Sequence, residues 1–390
     1  MNNALKSLVK SEAFPGVLLL IATILALIVR NSPLSTIYID FLNSELIIGF
    51  RGHDLAKPLL LWVNDGLMVI FFFVIGLELK REVREGELSN KSQILLPTVA
   101  ALGGVIMPAV IFVAFNQGDS FALRGWAIPT ATDIAFAVGV LVLLGKRVNS
   151  SLKLFLLTLA VIDDICAILI IALFYTEQLS FISIFIAGIL LFVLWYLHKL
   201  RVGIKSIYII ITILLWLSVL NSGVHATIAG VLAAFFIPTV DKDGNRMLDQ
   251  LDDDLHGVTN YFILPVFAFV NAGVLLHGIE FSSLINNVSM GIFFGLLVGK
   301  QLGVFLFSFI FIKLGFAKLP KNSTWSQLYG VCILTGIGFT MSLFVNSLAY
   351  HDSDVFVHSD KLAILVGSLA SGIIGYLYLL LYSKVKQKKE

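Results

Sequence analysis

The sequence predicts an all-α, polytopic membrane protein of twelve transmembrane helices, two of them discontinuous, and three observations carry that reading. Of its 390 residues 58% are hydrophobic and 13% charged, against about 25% charged in soluble domains. Apolar runs long enough to cross about 30 Å of hydrocarbon recur along the whole chain. Finally, Lys and Arg fall on one side of those runs. With the N-terminus inside, 21 of the 27 basic residues are cytoplasmic, five are external and Lys300 is within a run. A bias of that size fits the positive-inside rule with both ends cytoplasmic.

The first run, 13–30, follows the basic start "MNNALKSLVK". No small-residue cleavage site follows it, so it is read as a retained span rather than a signal peptide. Residues 43–58, "NSELIIGFRGHDLAKP", form the longest external connection and suit a small hairpin able to pair with a second copy. Further spans are expected at 59–79, 94–115, 122–144, 152–175 and 180–198. The runs 204–220 and 223–239 are separated only by the tight turn "NSG" at Asn221–Gly223. A cytoplasmic acidic loop, 239–256, precedes the spans at 257–276, 289–312, 327–350 and 361–382. The whole chain reads as one transporter domain. Cys166 and Cys332 both lie in apolar runs, so neither a disulfide framework nor a resident metal is expected.

Five ionisable residues, Asp65, Asp133, Asp163, Asp164 and Lys300, lie well inside these runs, away from their ends. Each costs roughly 2.5–3.5 kcal/mol at mid-membrane even on lenient insertion scales. Asp133, Asp163, Asp164 and Lys300 come from three spans yet share one depth. A structural ion pair does not account for them, since one lysine cannot balance three carboxylates; intramembrane charges of this kind mark ion or proton routes.

Two spans are interrupted. "GWAIPTATDIAFAVGVLVLLG" places Pro129, Thr130, Thr132 and Asp133 in mid-membrane, and "LYGVCILTGIGFTMSLFVNSLAY" places Thr335, Gly336, Gly338 and Thr340 there. Proline removes a donor and glycine weakens a helix, so each span is expected as two half-helices joined by extended chain. A shift of 205 residues superimposes Gly125 on Gly330, Ile128 on Ile333 and Thr130 on Thr335. Paired broken spans in the two halves of a transporter point to its binding site. An anionic Asp133 would neutralise the positive ends of the facing half-helices.

The motifs "PTATDIAFAVGVLVLLG", "LAVIDDICAILIIALFYT", "FAFVNAGV", "GKQLGVFLFSF" and "LTGIGFTMSLFVNSLAY" together resemble the NhaA family of bacterial sodium/proton antiporters, in family order and over essentially the whole chain. The resemblance implies twelve helices with inverted repeats, two discontinuous helices that cross at mid-membrane, and a homodimer in the bacterial inner membrane. It implies exchange of intracellular Na+ or Li+ for external H+, with no cofactor and no nucleic-acid partner. It makes Asp164 the cation ligand with Asp163 its partner, pairs Asp163 with Lys300, and puts Thr132 and Asp133 at the crossing.

The resemblance also places a pH-sensing region at the cytoplasmic entrance, where Glu78, Arg81 and Glu82 stand as in the family. The neighbouring "LDQLDDDLHG" departs from the family's basic and imidazole mixture with Asp249, Asp252, Asp253, Asp254 and His256. These acids read either as a cation funnel or as a sensor in which like charges hold one another's protons. His225 is a possible second sensor.

Asp163 and Asp164, if about 6 Å apart at an effective dielectric near 20, repel by about 3 kcal/mol. Sodium and protons then compete for the same oxygens. Intramembrane aspartyl proteases need acids on two spans in Y-D and G-x-G-D motifs, which do not occur here, and no phosphate-binding G-x-x-x-x-G-K-[ST] loop is present. An anion carrier would want mid-span cations rather than three acids against one lysine.

Overall fold

The computed structural model describes residues 13–50, 53–86, 91–176, 179–277, 285–350, 354–356 and 358–387. Lys6, Lys10, Arg51, Lys388 and Lys389, which contribute to the charge asymmetry, lie outside these residues. The described chain is mostly helical, as its apolar content requires, because backbone polar groups in hydrocarbon must bond within their own segment.

In chain order, α1 is Phe14–Arg30 and α2 Ser35–Asn43. Strands β1 (Glu45–Phe50) and β2 (His53–Pro58) form an antiparallel hairpin in which Glu45 faces Pro58. Helices α3 (Leu59–Glu85), α4 (Lys91–Phe115), a 3₁₀ segment (Ala122–Thr130) and α5 (Ile134–Leu143) follow. Next come α6 (Ser150–Phe174), α7 (Phe181–Lys199), α8 (Lys205–Leu220) and α9 (Ile228–Phe235). The remainder is α10 (Met247–Val258), α11 (Leu264–Asn271), α12 (Asn287–Lys313), α13 (Trp325–Leu334), α14 (Phe339–Tyr350) and α15 (Ser359–Gln387).

Among the described residues, seven helices are long and apolar enough to cross a membrane. They are Leu59–Glu85, Ile94–Phe115, Ala122–Leu143, Ser150–Phe174, Phe181–Lys199, Asn287–Lys313 and Ser359–Ser383. The other apolar runs are shorter or bent. Helices α13 and α14 meet at 45° across a four-residue break, and Lys205–Leu220 and Ile228–Phe235 are brief. The expected acidic loop at 239–256 is helical from Met247 onward, because Met247, Leu248 and Leu251 form a buried stripe at helical spacing.

The chain divides into two compact units. The first takes Met1–Asn31, Asn90–Ala167 and Ala272–Glu390. Its centre is the contact of α4 with α12, where small residues let the backbones approach. A Cβ at Gly104 would lie 2.9 Å from a Val304 methyl, and one at Gly299 would lie 2.8 Å from Pro108 Cα. Within α12 the turn Gly295–Lys300 is π-helical, a form that recurs at functional sites.

The second unit takes Ser32–Ser89 and Ile168–Asn271. Helix α3 packs on α9 through Gly76 and Gly230; a Cβ at Gly76 would lie 2.6 Å from that of Ala234. Asp65 sits in a π-helical turn of α3 and pairs with Lys57 at 2.9 Å, so this intramembrane acid is already matched. Lys80 is buried and donates to the carbonyls of Phe235 (2.7 Å) and Ile237 (2.5 Å), closing the C-terminal end of α9.

Candidate functional site

The first unit brings Thr132, Asp133, Asp163, Asp164, Lys300, Thr335 and Thr340 into buried positions, none of them more than 2% exposed. Between Thr130 and Ile134 the chain is extended, and between Leu334 and Phe339 it also leaves the helix. Pro129 and the paired glycines account for the two breaks.

The breaks are stitched to one another. The Asp133 N–H donates to the Ile337 carbonyl at 2.7 Å, and the Thr132 hydroxyl donates to the Thr335 carbonyl at 3.0 Å. Ser342 Oγ donates to the Ile128 carbonyl at 2.7 Å. Gly338 is required for this approach, since a Cβ there would lie 2.8 Å from Leu296 Cδ2 and 3.0 Å from the Ala131 carbonyl. Gly336 is hemmed in by the Leu296 carbonyl and Ser371 Oγ.

Asp133 caps α5 by accepting from the Phe136 N–H at 2.9 Å through Oδ1. Its Oδ2 accepts from the Thr340 N–H at 3.1 Å and from the Thr340 hydroxyl, at the start of α14. One carboxylate therefore serves the positive ends of two helices. The opposite charge serves a carbonyl end: Lys300 Nζ donates to the Thr130 carbonyl, where the 3₁₀ segment stops.

Lys300 Nζ also lies 2.6 Å from Asp163 Oδ2, and the pair is essentially solvent-free. Asp163 Oδ1 is buried without a hydrogen-bond partner among the described residues. Asp164 follows on α6, also buried. Asp133, Asp163 and Asp164 are buried carboxylates and Lys300 is the buried ammonium paired with one of them, so with these four ionised their net charge is two negative. That imbalance is what a site for a cation or for protons requires.

The second unit gathers the residues expected at the entrance. Asp252 on α10 is paired with Arg81 on α3 at 2.5 Å, and His256 Nδ1 lies 3.3 Å from Glu78 Oε1. Asp254 pairs with Lys205 at 2.7 Å, and Asp249 with Arg246, which also holds Glu85. Asp253 is exposed and Glu82 half-buried. Three of the four acids thus have basic partners; those of Asp252 and Asp254 come from distant sequence, a signal no local window contains, and that of Asp249 is three residues away.

Asp252 is pushed up to about 6, chiefly by burial and next by Glu78. Arg81 opposes the shift, but its guanidinium is partly exposed and screened. Hydrogen bonding to Glu78 raises His256. Burial therefore contributes more to the acid's behaviour than the expected repulsion among neighbouring aspartates. His225 Nδ1 contacts Thr227 Oγ1 at 2.8 Å, at the start of α9.

Membrane-length helices, two broken segments stitched at their gaps and an unbalanced buried charge cluster define an ion-carrying membrane transporter. Residues 6–379 match the family described as Na+/H+ antiporter 1. The chain is 69% identical over 377 residues to "Na(+)/H(+) antiporter NhaA 2" of Campylobacter fetus subsp. fetus, covering 97% of this chain and 96% of that protein. It is 58% identical over 381 residues to "Na(+)/H(+) antiporter NhaA" of Sulfurovum sp., covering 97% of each. The protein of the same description from Campylobacter curvus is 56% identical over 386 residues, 99% of this chain and 96% of its own. The chain belongs to this antiporter family; it is a multi-pass membrane ion transporter and not an enzyme.

Proposed function

We propose that the protein expels cytoplasmic Na+, and Li+, in exchange for more than one external H+, using Asp163, Asp164 and Lys300 as the shared site. The observation that carries the reading is the solvent-free Lys300–Asp163 pair beside a second buried carboxylate. Na+ is favoured by the ionised carboxylates, and protons occupy the same oxygens or the lysine when Na+ leaves. Two acids and an amine give capacity for two protons. One-for-one exchange would be electrically silent, whereas a net charge moved per cycle adds about 2.3 kcal/mol per 100 mV.

In this reading the chain forms twelve spans with both ends cytoplasmic, in the bacterial inner membrane, as one transporter domain. The broken segments 122–144 and 327–350 cross at mid-membrane, and Thr132, Asp133, Thr335, Gly336, Gly338 and Thr340 hold the crossing. Asp133 keeps the facing helix ends together while the ion site is reorganised. The β1–β2 hairpin is external and pairs two copies into a homodimer, an open edge strand being a template for such pairing.

Transport is activated by rising pH through the contact of α10 with α3. Glu78 and Arg81 of α3 and His256 and Asp253 of α10 face Asp252, and Glu82, Asp249 and Asp254 flank the contact. Asp252 neutral and His256 charged suit the packed arrangement, so raising the pH loosens it. His225, which contacts Thr227, is a second sensing group in this reading.

Purified protein in liposomes tests the exchange. Addition of Na+ or Li+, but not K+, should dissipate a preset proton gradient, and an imposed membrane potential should change the rate. Loss of Na+ dependence would overturn the exchange; a rate indifferent to potential would overturn the stoichiometry alone.

A further inference from the structure

We propose that Glu78, Asp252 and His256 form a binding site for a zinc-class divalent ion that ties α3 to α10. One ligand atom from each residue lies within 4.8 Å of the others, and these are the residues that meet a metal-site geometry among the described residues. A second observation points the same way. Asp252 is 3% exposed, and its Oδ1 is buried with no hydrogen-bond partner among the described residues, while Oδ2 is held by Arg81. A buried carboxylate oxygen left without a donor is costly unless something positive reaches it.

The local geometry suits coordination. Asp252 and His256 are four residues apart on α10, so they stand one above the other on a single face. Glu78 supplies the third group from α3, and His256 Nδ1 already faces it. Zinc bonds of about 2.0–2.2 Å place tetrahedral ligand atoms closer together than the present set. Closure falls to Glu78, which is half-buried, and His256, which is exposed; both can turn inward. The outer groups are in place as well. Arg81 would orient the Asp252 carboxylate, and Asn260, 2.8 Å from His256 Nε2, would hold the far side of the ring. With the amide oxygen of Asn260 turned to accept from Nε2–H, Nδ1 is free to bind metal, and a proton carried there is released to solvent.

One imidazole and two carboxylates select borderline ions such as Zn2+ or Co2+ over Mg2+ and Ca2+, which prefer oxygen alone. Two carboxylates offset the ion's two charges, and the fourth position is left to water. The site uses none of the residues proposed to hold Na+, although it shares the α3–α10 contact proposed to set activation, and its test needs no transport. A bound ion fastens α10 to α3, so it opposes any movement between these two helices.

The experiment uses the full-length protein in detergent micelles, with Co2+ as the spectroscopic probe. One Co2+ per chain should produce visible d–d absorption of a low-coordinate site, removed by Zn2+ and not by excess Mg2+. His256→Ala and Glu78→Gln should each weaken binding at least about tenfold, since loss of even an outer partner of a metal ligand typically costs about 10–100-fold. His256→Cys should restore the site and add a thiolate-to-cobalt band. His277→Ala should leave the absorption unchanged. Saturating Zn2+ should also slow hydrogen exchange of 247–258 in the parent and not in His256→Ala. Absence of the band in the parent, its survival in His256→Ala, or its loss in His277→Ala would overturn the proposal.

Discussion

Asp133 and Thr340, 207 positions apart, are joined by two hydrogen bonds to one carboxylate oxygen, from the Thr340 N–H and from its hydroxyl. The other oxygen of Asp133 caps α5. A single side chain thereby closes the starts of α5 and α14. Loss of one cap costs about 0.5–2 kcal/mol, and Asp133→Ala removes two together with the charge. It should lower the melting temperature more than Thr340→Val, with Asp133→Asn between them. Equal melting of Asp133→Ala and the parent would show that the caps contribute nothing.

Lys300 offers a sharper contrast. Truncating one member of a buried ion pair typically costs about 3–5 kcal/mol, because the other charge is left unpaired. Lys300→Ala also frees the Thr130 carbonyl. Lys300→Arg retains a charge in a cavity shaped for an ammonium, so it should melt between Lys300→Ala and the parent. Melting followed by intrinsic fluorescence checks the order; a Lys300→Ala variant as stable as the parent would remove the pair from the account.

Gly338 tests the close approach of the broken segments. Gly338→Ala places a methyl 2.8 Å from Leu296 Cδ2, and overpacking of this kind costs about 1–3 kcal/mol. Gly188 on α7 has open space around it, and Gly188→Ala should be neutral or stabilising by up to about 1 kcal/mol through helix propensity. Both are read by melting temperature. If the two behave alike, packing at the break is not limiting.

Much of this site is legible in the sequence. Carboxylates and a lysine within apolar runs announce themselves by their cost, and Pro129 and the Gly336–Gly338 pair mark where helices stop. What the sequence withholds is the pairing of distant groups. Nothing local says that Lys300 reaches the Thr130 carbonyl, that Arg81 and Lys205 take Asp252 and Asp254, or that Arg246 reaches Glu85. The acidic stretch looked like a loop because its charges dominate the window; Met247, Leu248 and Leu251 at helical spacing carry the contrary signal. The π-helical turn ending at Lys300 has no signature in composition.

The contact of α3 with α10 carries a definite pH sign. Asp252 is raised to about 6, so its neutral form suits the packed state. Its contribution is present below the ordinary carboxylate range and lost as pH rises toward 6. His256 is also raised, so its contribution is present below the ordinary imidazole value and lost as pH rises through its own, higher one. Both changes weaken the contact with rising pH. Hydrogen exchange of 247–258, corrected for intrinsic rates, should show falling protection from pH 5 to pH 8. Asp252→Asn mimics the neutral acid and should flatten the lower part of that fall and move activation to higher pH. An acidward shift would instead restore repulsion among Asp252, Asp253 and Asp254 as the dominant effect.

The most direct test of the central claim is proton release from purified protein in detergent when Na+ is added at alkaline pH. If Na+ and H+ share the oxygens of Asp163 and Asp164, the parent should release protons in a saturable, Na+-dependent manner. Asp163→Asn and Asp164→Asn should release none, although both insert and purify as the parent does. Full-amplitude, Na+-driven proton release by either variant would contradict the shared site.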